Sequence, residues 1–230
     1  MGVSKTPLSG SNPDSPANQM TLITLNFIHG RPGCGKDTQA DLLTMVTPHS
    51  LKASGIYRGA YTKQGQFARY HDLVAPFIKP LGQGIDMPAK TVNFILKDIV
   101  KRGRADGFSS FFICGLLRAT SHKEAIDQWL TQTPEVSARH IYLATSEGKA
   151  LAQSQSRNQR IDDAPLLMQA RLSRFRSNSL PMLQSLEDEG RLTIVKADRE
   201  IHLIHQELLA IIDPERQPLE FGMIARKEVV

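Results

Sequence analysis

Gly30-Arg31-Pro32-Gly33-Cys34-Gly35-Lys36-Asp37-Thr38 is the stretch on which the fold turns. It fits the spacing Gly-x-x-x-x-Gly-Lys, with the hydroxyl residue that normally follows the lysine displaced by one to Thr38. Glycines let successive backbone N–H groups turn inward on phosphate oxygens, and a helix starting just beyond adds its partial positive charge. Lys36 can then bridge the β- and γ-phosphates, and Thr38 can offer a hydroxyl to Mg²⁺. Asp37 sits where a carboxylate would repel phosphate unless it points away. At a helix start it interacts favourably with the macrodipole, which is the plainer reading.

The flanks give the loop its context. Residues 21–29 (TLITLNFIH) are apolar and β-branched and run into the glycines, as a buried first strand of a parallel sheet would. Residues 36–46 carry Ala40, Leu42, Leu43 and Val46 at helical spacing. Further along, residues 111–114, 140–144 and 192–195 read as three more strands. Helices are predicted over residues 88–102, with Val92, Ile95, Leu96, Ile99 and Val100 on one face, and over 123–130, 166–186 and 201–212. Pro181 should kink or restart the long one. Strands alternating with helices imply an α/β, three-layer fold, a parallel sheet with helices on both sides.

Residues 52–85 are rich in glycine and proline with short helical patches, an excursion from the core. Residues 1–19 (MGVSKTPLSGSNPDSPANQ) cannot bury enough apolar surface to offset ordering entropy and read as a flexible tail. Residues 20–213 form the main domain and 214–230 a C-terminal extension.

Composition excludes more than it selects. A formal net charge of +5 attracts anions of any kind. Aromatic content of 6% offers no basic-aromatic platform, which argues against a nucleic-acid partner. The cysteines, Cys34 and Cys114, lack zinc-ligand spacing, so no zinc is expected and a reducing compartment is. No basic leader precedes an apolar segment, and no run nears the roughly 20 apolar residues of a spanning helix. A cytoplasmic protein with no membrane partner is therefore expected. Gly2 with Thr6 matches the short myristoylation pattern, which chance satisfies often.

From Gly35 to Ala40 the form Gly-Lys-x-Thr-Gln-Ala resembles adenylate kinases and the other nucleoside monophosphate kinases, and further blocks follow in that family's order between residues 21 and 212. The resemblance implies ATP and a nucleoside monophosphate as substrates, AMP foremost, Mg²⁺ as cofactor, and a monomer. It implies an excursion over about 50–88 that binds the monophosphate and a short lid over about 149–160 that closes on ATP. Arg58 falls where the family binds the acceptor phosphate, Met87 and Pro88 where the excursion closes, and Gly115 and Arg118 in the apolar-Asp-Gly-Phe-Pro-Arg block. His122 takes the place of the glutamine that reads adenine. Arg160-Ile161-Asp162-Asp163 with Arg171-Leu172 matches the Arg-x-Asp-Asp and Arg-Leu signature. By that likeness Lys36, Arg118, Arg160 and Arg171 are catalytic, and Asp162 and Asp163 orient the arginines and the lid. The usual place of the donor-base contact is held by Lys149 or Ala150, and the resemblance leaves Arg157 to compensate. Arginine suits such work because its guanidinium offers phosphate a planar fork and keeps its charge.

The pattern departs from the family at several places. Cys114 replaces an aspartate that orients the water ligands of Mg²⁺. Leu117, Ala53 and Gly55 replace a proline, a threonine and an aspartate. Two readings stay open on the sequence. In one, Asp37 or Asp162 supplies the missing charge and the enzyme turns over. In the other, phosphate binding remains in a regulatory or interaction module whose catalysis is weakened.

Overall fold

A computed structural model describes residues 22–46, 50–83, 85–157 and 165–213. Among them, five parallel strands form one sheet in the order β2-β3-β1-β4-β5. The strands are β1 (Ile23–His29), β2 (Ser50–Lys52), β3 (Ser110–Cys114), β4 (Val136–Ala144) and β5 (Leu192–Lys196). Four of them were expected from periodicity. β2 was not, because its three residues are too few to show an alternation and they open the stretch read as an excursion.

Alternate residues of each central strand feed opposite cores. Ile23, Leu25 and Phe27 of β1, with Phe111 and Ile113 of β3, pack against α4 (Ala89–Ala105), α5 (Thr120–Thr131) and α8 (Leu180–Asp188). Ile28, Phe112, Cys114, Ile141 and Leu143 face α1 (Lys36–Val46) and α9 (Ile201–Ile212) instead. The three layers follow from that division. Phe27 and Leu25 are fully buried, each contributing about 1.5–3 kcal/mol of hydrophobic stabilisation. Asn26, also fully buried in β1, is satisfied by donating to Ser110 Oγ at 3.1 Å and accepting from Arg139 Nη1 at 3.2 Å.

Between β2 and α4 the chain forms α2 (Ala53–Thr62), a 3₁₀ segment (Gly65–Tyr70) and α3 (His71–Gln83). After β4 comes α6 (Glu147–Arg157), and then α7 (Pro165–Arg174) runs through a π-helical turn (Phe175–Ser179) into α8. Pro181 lies in the first turn of α8, immediately beyond the π turn. The wider turn absorbs the irregularity that a proline introduces into a helix, so the restart expected at Pro181 is a local change of pitch. No helix among the described residues is long and apolar enough to cross a membrane.

β1 lies between β3 and β4, so the chain leaves it on one side toward β2 and later crosses to the other. Ligands of open α/β sheets bind in the crevice at the carboxyl ends of strands around such a switch point. The loop at residues 30–38 follows β1 at that point.

Candidate functional site

The glycine loop holds a conformation that its sequence was chosen to allow. Gly33 and Gly35 have φ of +83° and +87°, in the left-handed region. Gly33 also lies against the backbone of α6: a Cβ there would be driven into the carbonyl of Ala150, which is itself fully buried. Lys36 begins α1, and its Nζ lies 3.5 Å from the carbonyl oxygen of Arg31 across the loop.

From the end of β3, Gly115 (φ +65°) comes up beside the methylene chain of Lys36 and donates its N–H to Ile28 O at 3.2 Å. Arg118 follows, with Nε donating to Gly115 O at 2.9 Å and its carbonyl accepting from Ser179 Oγ at 3.0 Å. Those two bonds tie the arginine to both the β3 loop and the π turn.

These groups open onto a shared cleft. Gly30, Pro32, Lys36, Gly115, Arg118 and Arg171 line it, so the cleft gathers six of the residues singled out from the sequence. It also gathers His29, Asp86, Arg174, Phe175 and Ser179, which the sequence reading passed over. Arg174 was within reach of it, since it stands three residues after Arg171 and so shares its helical face. Burial lowers the Arg174 pKa, and the charge of Arg118 lowers it further, while Asp86 opposes the shift. Asp86 is in turn held by Asn178, whose Nδ2 donates to Oδ2 at 2.8 Å. No local pattern could announce that pair, 92 residues apart.

The remaining candidates lie elsewhere. Cys34, Gly35 and Thr38 border a second cleft, together with Gln39, Gln153, Arg199 and Ile201. Lys149 borders neither of the two clefts; its Nζ donates to Ala197 O at 3.2 Å and Arg199 O at 3.1 Å, fastening α6 to the segment after β5. The Arg31 guanidinium sits 5.7 Å over the Phe175 ring and 3.7 Å from Glu147. Asp37 occupies the first turn of α1. Arg58 lies on α2 and Arg157 at the end of α6, with side chains outside the described ones. Arg160, Asp162 and Asp163 lie outside the described residues altogether. Of the stretch 149–160, residues 149–157 are helical.

His122 departs from the role its position suggested. It is buried, its Nδ1 accepts the Arg118 N–H at 3.1 Å, and its Nε2 donates to Met87 O at 2.7 Å. Burial lowers its pKa, which keeps the ring neutral with one donor and one acceptor. Neither ring nitrogen is left to read a base. His122 instead clamps Arg118 to the segment that carries Met87, and Met87 is buried with its carbonyl committed to that clamp.

Among the described residues no group of three or more His, Cys, Asp or Glu side chains could hold a metal. Mg²⁺ keeps several waters and binds through few protein atoms when substrate phosphates carry it. The exposed hydroxyl of Thr38, one turn into α1 beside the loop, fits that demand as a single ligand. Cys114, buried at the end of β3 and in register with Ile28, offers no carboxylate there.

No protein-family model matches the chain. Several curated proteins are nevertheless similar along most of it. An adenylate kinase of Oenococcus oeni is 22% identical over 80% of this chain and 94% of its own length. UMP-CMP kinase 1 of Oryza sativa subsp. japonica is 25% identical over 82% of this chain and 74% of its own. A uridylate kinase of Saccharomyces cerevisiae is 20% identical over 87% and 96%. Similarity of that extent, a three-layer α/β fold and a glycine loop facing convergent arginines at the switch point agree: along most of its length the chain is similar to nucleoside monophosphate kinases, at the low identity of a divergent relative.

Proposed function

We propose that the protein transfers the γ-phosphoryl group of ATP to a nucleoside monophosphate, with AMP as the acceptor. The observation that carries this is the cleft in which Lys36, Arg118, Arg171 and Arg174 converge on the glycine loop. Phosphoryl transfer asks a protein mainly to hold two phosphate chains in line and neutralise charge that spreads over the transferring group. An oxygen of the acceptor phosphate attacks the γ-phosphorus, the bond from that phosphorus to the β,γ-bridging oxygen breaks, and two nucleoside diphosphates leave. Lys36 holds the donor β- and γ-oxygens, while Arg118 fixes the acceptor phosphate. Arg171 and Arg174, one face of α7, neutralise the equatorial oxygens between them.

Thr38 would hold Mg²⁺ by its hydroxyl, and the metal would add positive charge at the donor phosphates. Arg58, Arg160, Asp162 and Asp163 join the site in this reading by their match to the family's motifs. The second cleft, beside Thr38 and Gln39, takes the donor nucleotide's base and ribose. AMP rests on the likeness to adenylate kinases.

A second reading is favoured by one observation, a buried cysteine, Cys114, at the strand end. It makes the chain a nucleotide-binding module with weakened catalysis. A coupled assay of ADP formation with Mg·ATP against AMP, CMP, UMP and GMP separates the two. The proposal expects turnover that depends on the acceptor and peaks with AMP. Binding of ATP without turnover on any of the four would favour the module, and a peak with another monophosphate would reassign the acceptor.

A further inference from the structure

His29 ends β1 directly before the glycine loop and lines the same cleft as Lys36, Gly115 and Arg118. Its imidazole is almost fully buried and pairs with another buried histidine, His140 of β4. The His29 Nε2 and His140 Nδ1 atoms are 3.0 Å apart, and both rings lie nearly parallel to Phe27, interplanar 24° for His29 and 15° for His140. One proton lies between those nitrogens, and the surroundings decide whose it is.

His140 Nε2 is buried and has no hydrogen-bond partner. Were His29 the donor, His140 would carry its proton on Nε2 as an N–H with nothing to receive it. An orphaned buried N–H costs the full desolvation of a donor, and such groups are rarer than under-used acceptors. The proton therefore belongs to His140 Nδ1, which donates to His29 Nε2. His29, with one nitrogen accepting, must then carry its own proton on Nδ1. Among the described residues that N–H has no acceptor, and Nδ1 is absent from the buried nitrogens that lack one, so it is open to the cleft.

We infer that His29 donates its Nδ1–H to an oxygen of the phosphate group held between Lys36 and Arg118, a neutral donor whose tautomer is set by His140. The inference rests on the phosphate-binding reading of the cleft and adds a ligand-contacting residue to it. The task suits a neutral ring: where four cations already crowd the phosphates, it adds directionality without further charge repulsion among the cations. Burial lowers the pKa of both histidines, in agreement with neutral rings.

Long-range ¹H–¹⁵N spectra of the full chain, titrated with inorganic tripolyphosphate, test this. Expected are the Nδ1–H tautomer for both residues and a downfield shift of the His29 Nδ1 proton as tripolyphosphate fills the site. Three variants supply a second reading, because the amide of Asn reproduces the position of Nδ1 and that of Gln the position of Nε2. His29→Leu and His29→Gln should each weaken tripolyphosphate binding about tenfold, the loss of one charge-assisted hydrogen bond, and His29→Asn should retain it. An Nε2–H tautomer at His29, or retention in Gln with loss in Asn, overturns the inference by assigning the ring to His140 alone. Binding by the native protein with no response at His29 also overturns it and leaves the cleft's phosphate role intact. Failure of the native protein to bind tripolyphosphate at all removes that role first and this inference with it.

Discussion

Lys36 passes Gly115 so closely that a Cβ placed on Gly115 would stand 3.2 Å from Lys36 Cε, tighter than ordinary van der Waals contact, and 3.8 Å from Cδ. The end of β3 thus forms a wall beside the lysine's methylene chain, and both residues line the cleft. With φ of +65°, Gly115 also occupies the left-handed region. Gly115→Ala should therefore lower ATP-dependent turnover at least tenfold by displacing Lys36, beyond a stability loss of about 1 kcal/mol from backbone strain. Steady-state kinetics alongside urea unfolding checks it, and a stability loss with unchanged kinetics would show that Lys36 tolerates the methyl group.

Gly33 meets a firmer neighbour, the backbone of Ala150 in α6. A carbonyl cannot swing aside as a side-chain end can, so Gly33→Ala should force α6 off the loop. Expected are a lower melting temperature and, by hydrogen exchange, faster exchange in residues 147–157 than in α5. Protection of α6 equal to that of the native chain would contradict this packing.

Arg174 is expected to matter as much as Arg171, although only Arg171 falls on a motif. Arg174→Ala should lower kcat about tenfold or more with little change in the monophosphate KM, the scale of one charge-assisted contact made in the transition state. Arg102→Ala, which removes a partner of Asp98 remote from the cleft, should leave kcat and both KM values as they are. Equal behaviour of the two variants in initial-rate measurements would remove Arg174 from the site.

Cys114→Asp restores negative charge at the strand end, where it can orient water bound to Mg²⁺. The expected outcome is a rise in kcat of about tenfold with tighter Mg²⁺ dependence, bought with a lower melting temperature because the position is buried. An unchanged rate across a Mg²⁺ titration would mean that the metal's charge is balanced elsewhere.

The histidine pair makes stability depend on pH in a stated direction. Burial, chiefly, pushes His140 down to about 4, with Arg191 and Lys123 lowering it and Asp127 and Glu189 opposing; burial and His140 lower His29 as well. In the unfolded chain both return to about 6.5. Above that value neither state binds the proton and there is no penalty; between about 6.5 and 4 the unfolded chain binds it and the folded chain does not, so stability falls as pH falls. Denaturant midpoints measured from pH 7.5 to 4.5 should show this, and His140→Phe should flatten the profile. A profile unchanged by that substitution would mean that the pair titrates normally.

Much of this protein was legible along the chain, because the signals are local. Gly30 to Thr38 sits between a β-branched run and a helical one, and alternation in β1 or the 3.6 period of α4 reports one buried face without knowledge of its partner. Lys36, Gly115, Arg118 and Arg171 were legible for the same reason: each stands in a short pattern. β2 was not, since three residues cannot display a period.

What only tertiary structure decided are relationships between segments far apart in sequence. The likeness that put His122 at a base-reading position could not say that Met87 O and the Arg118 N–H would take both its nitrogens. The polar His29 at the end of an apolar strand was visible, yet its meaning depends on His140, 111 residues away and brought alongside by the β1–β4 pairing. Asp86 and Asn178 meet only because the π turn carries Asn178 to the excursion's exit. Periodicity is a property of one element, so the sequence determined the elements and the glycine loop that joins two of them. Hydrogen-bond partners and proton positions belong to pairs of elements, and these exist once the chain has closed.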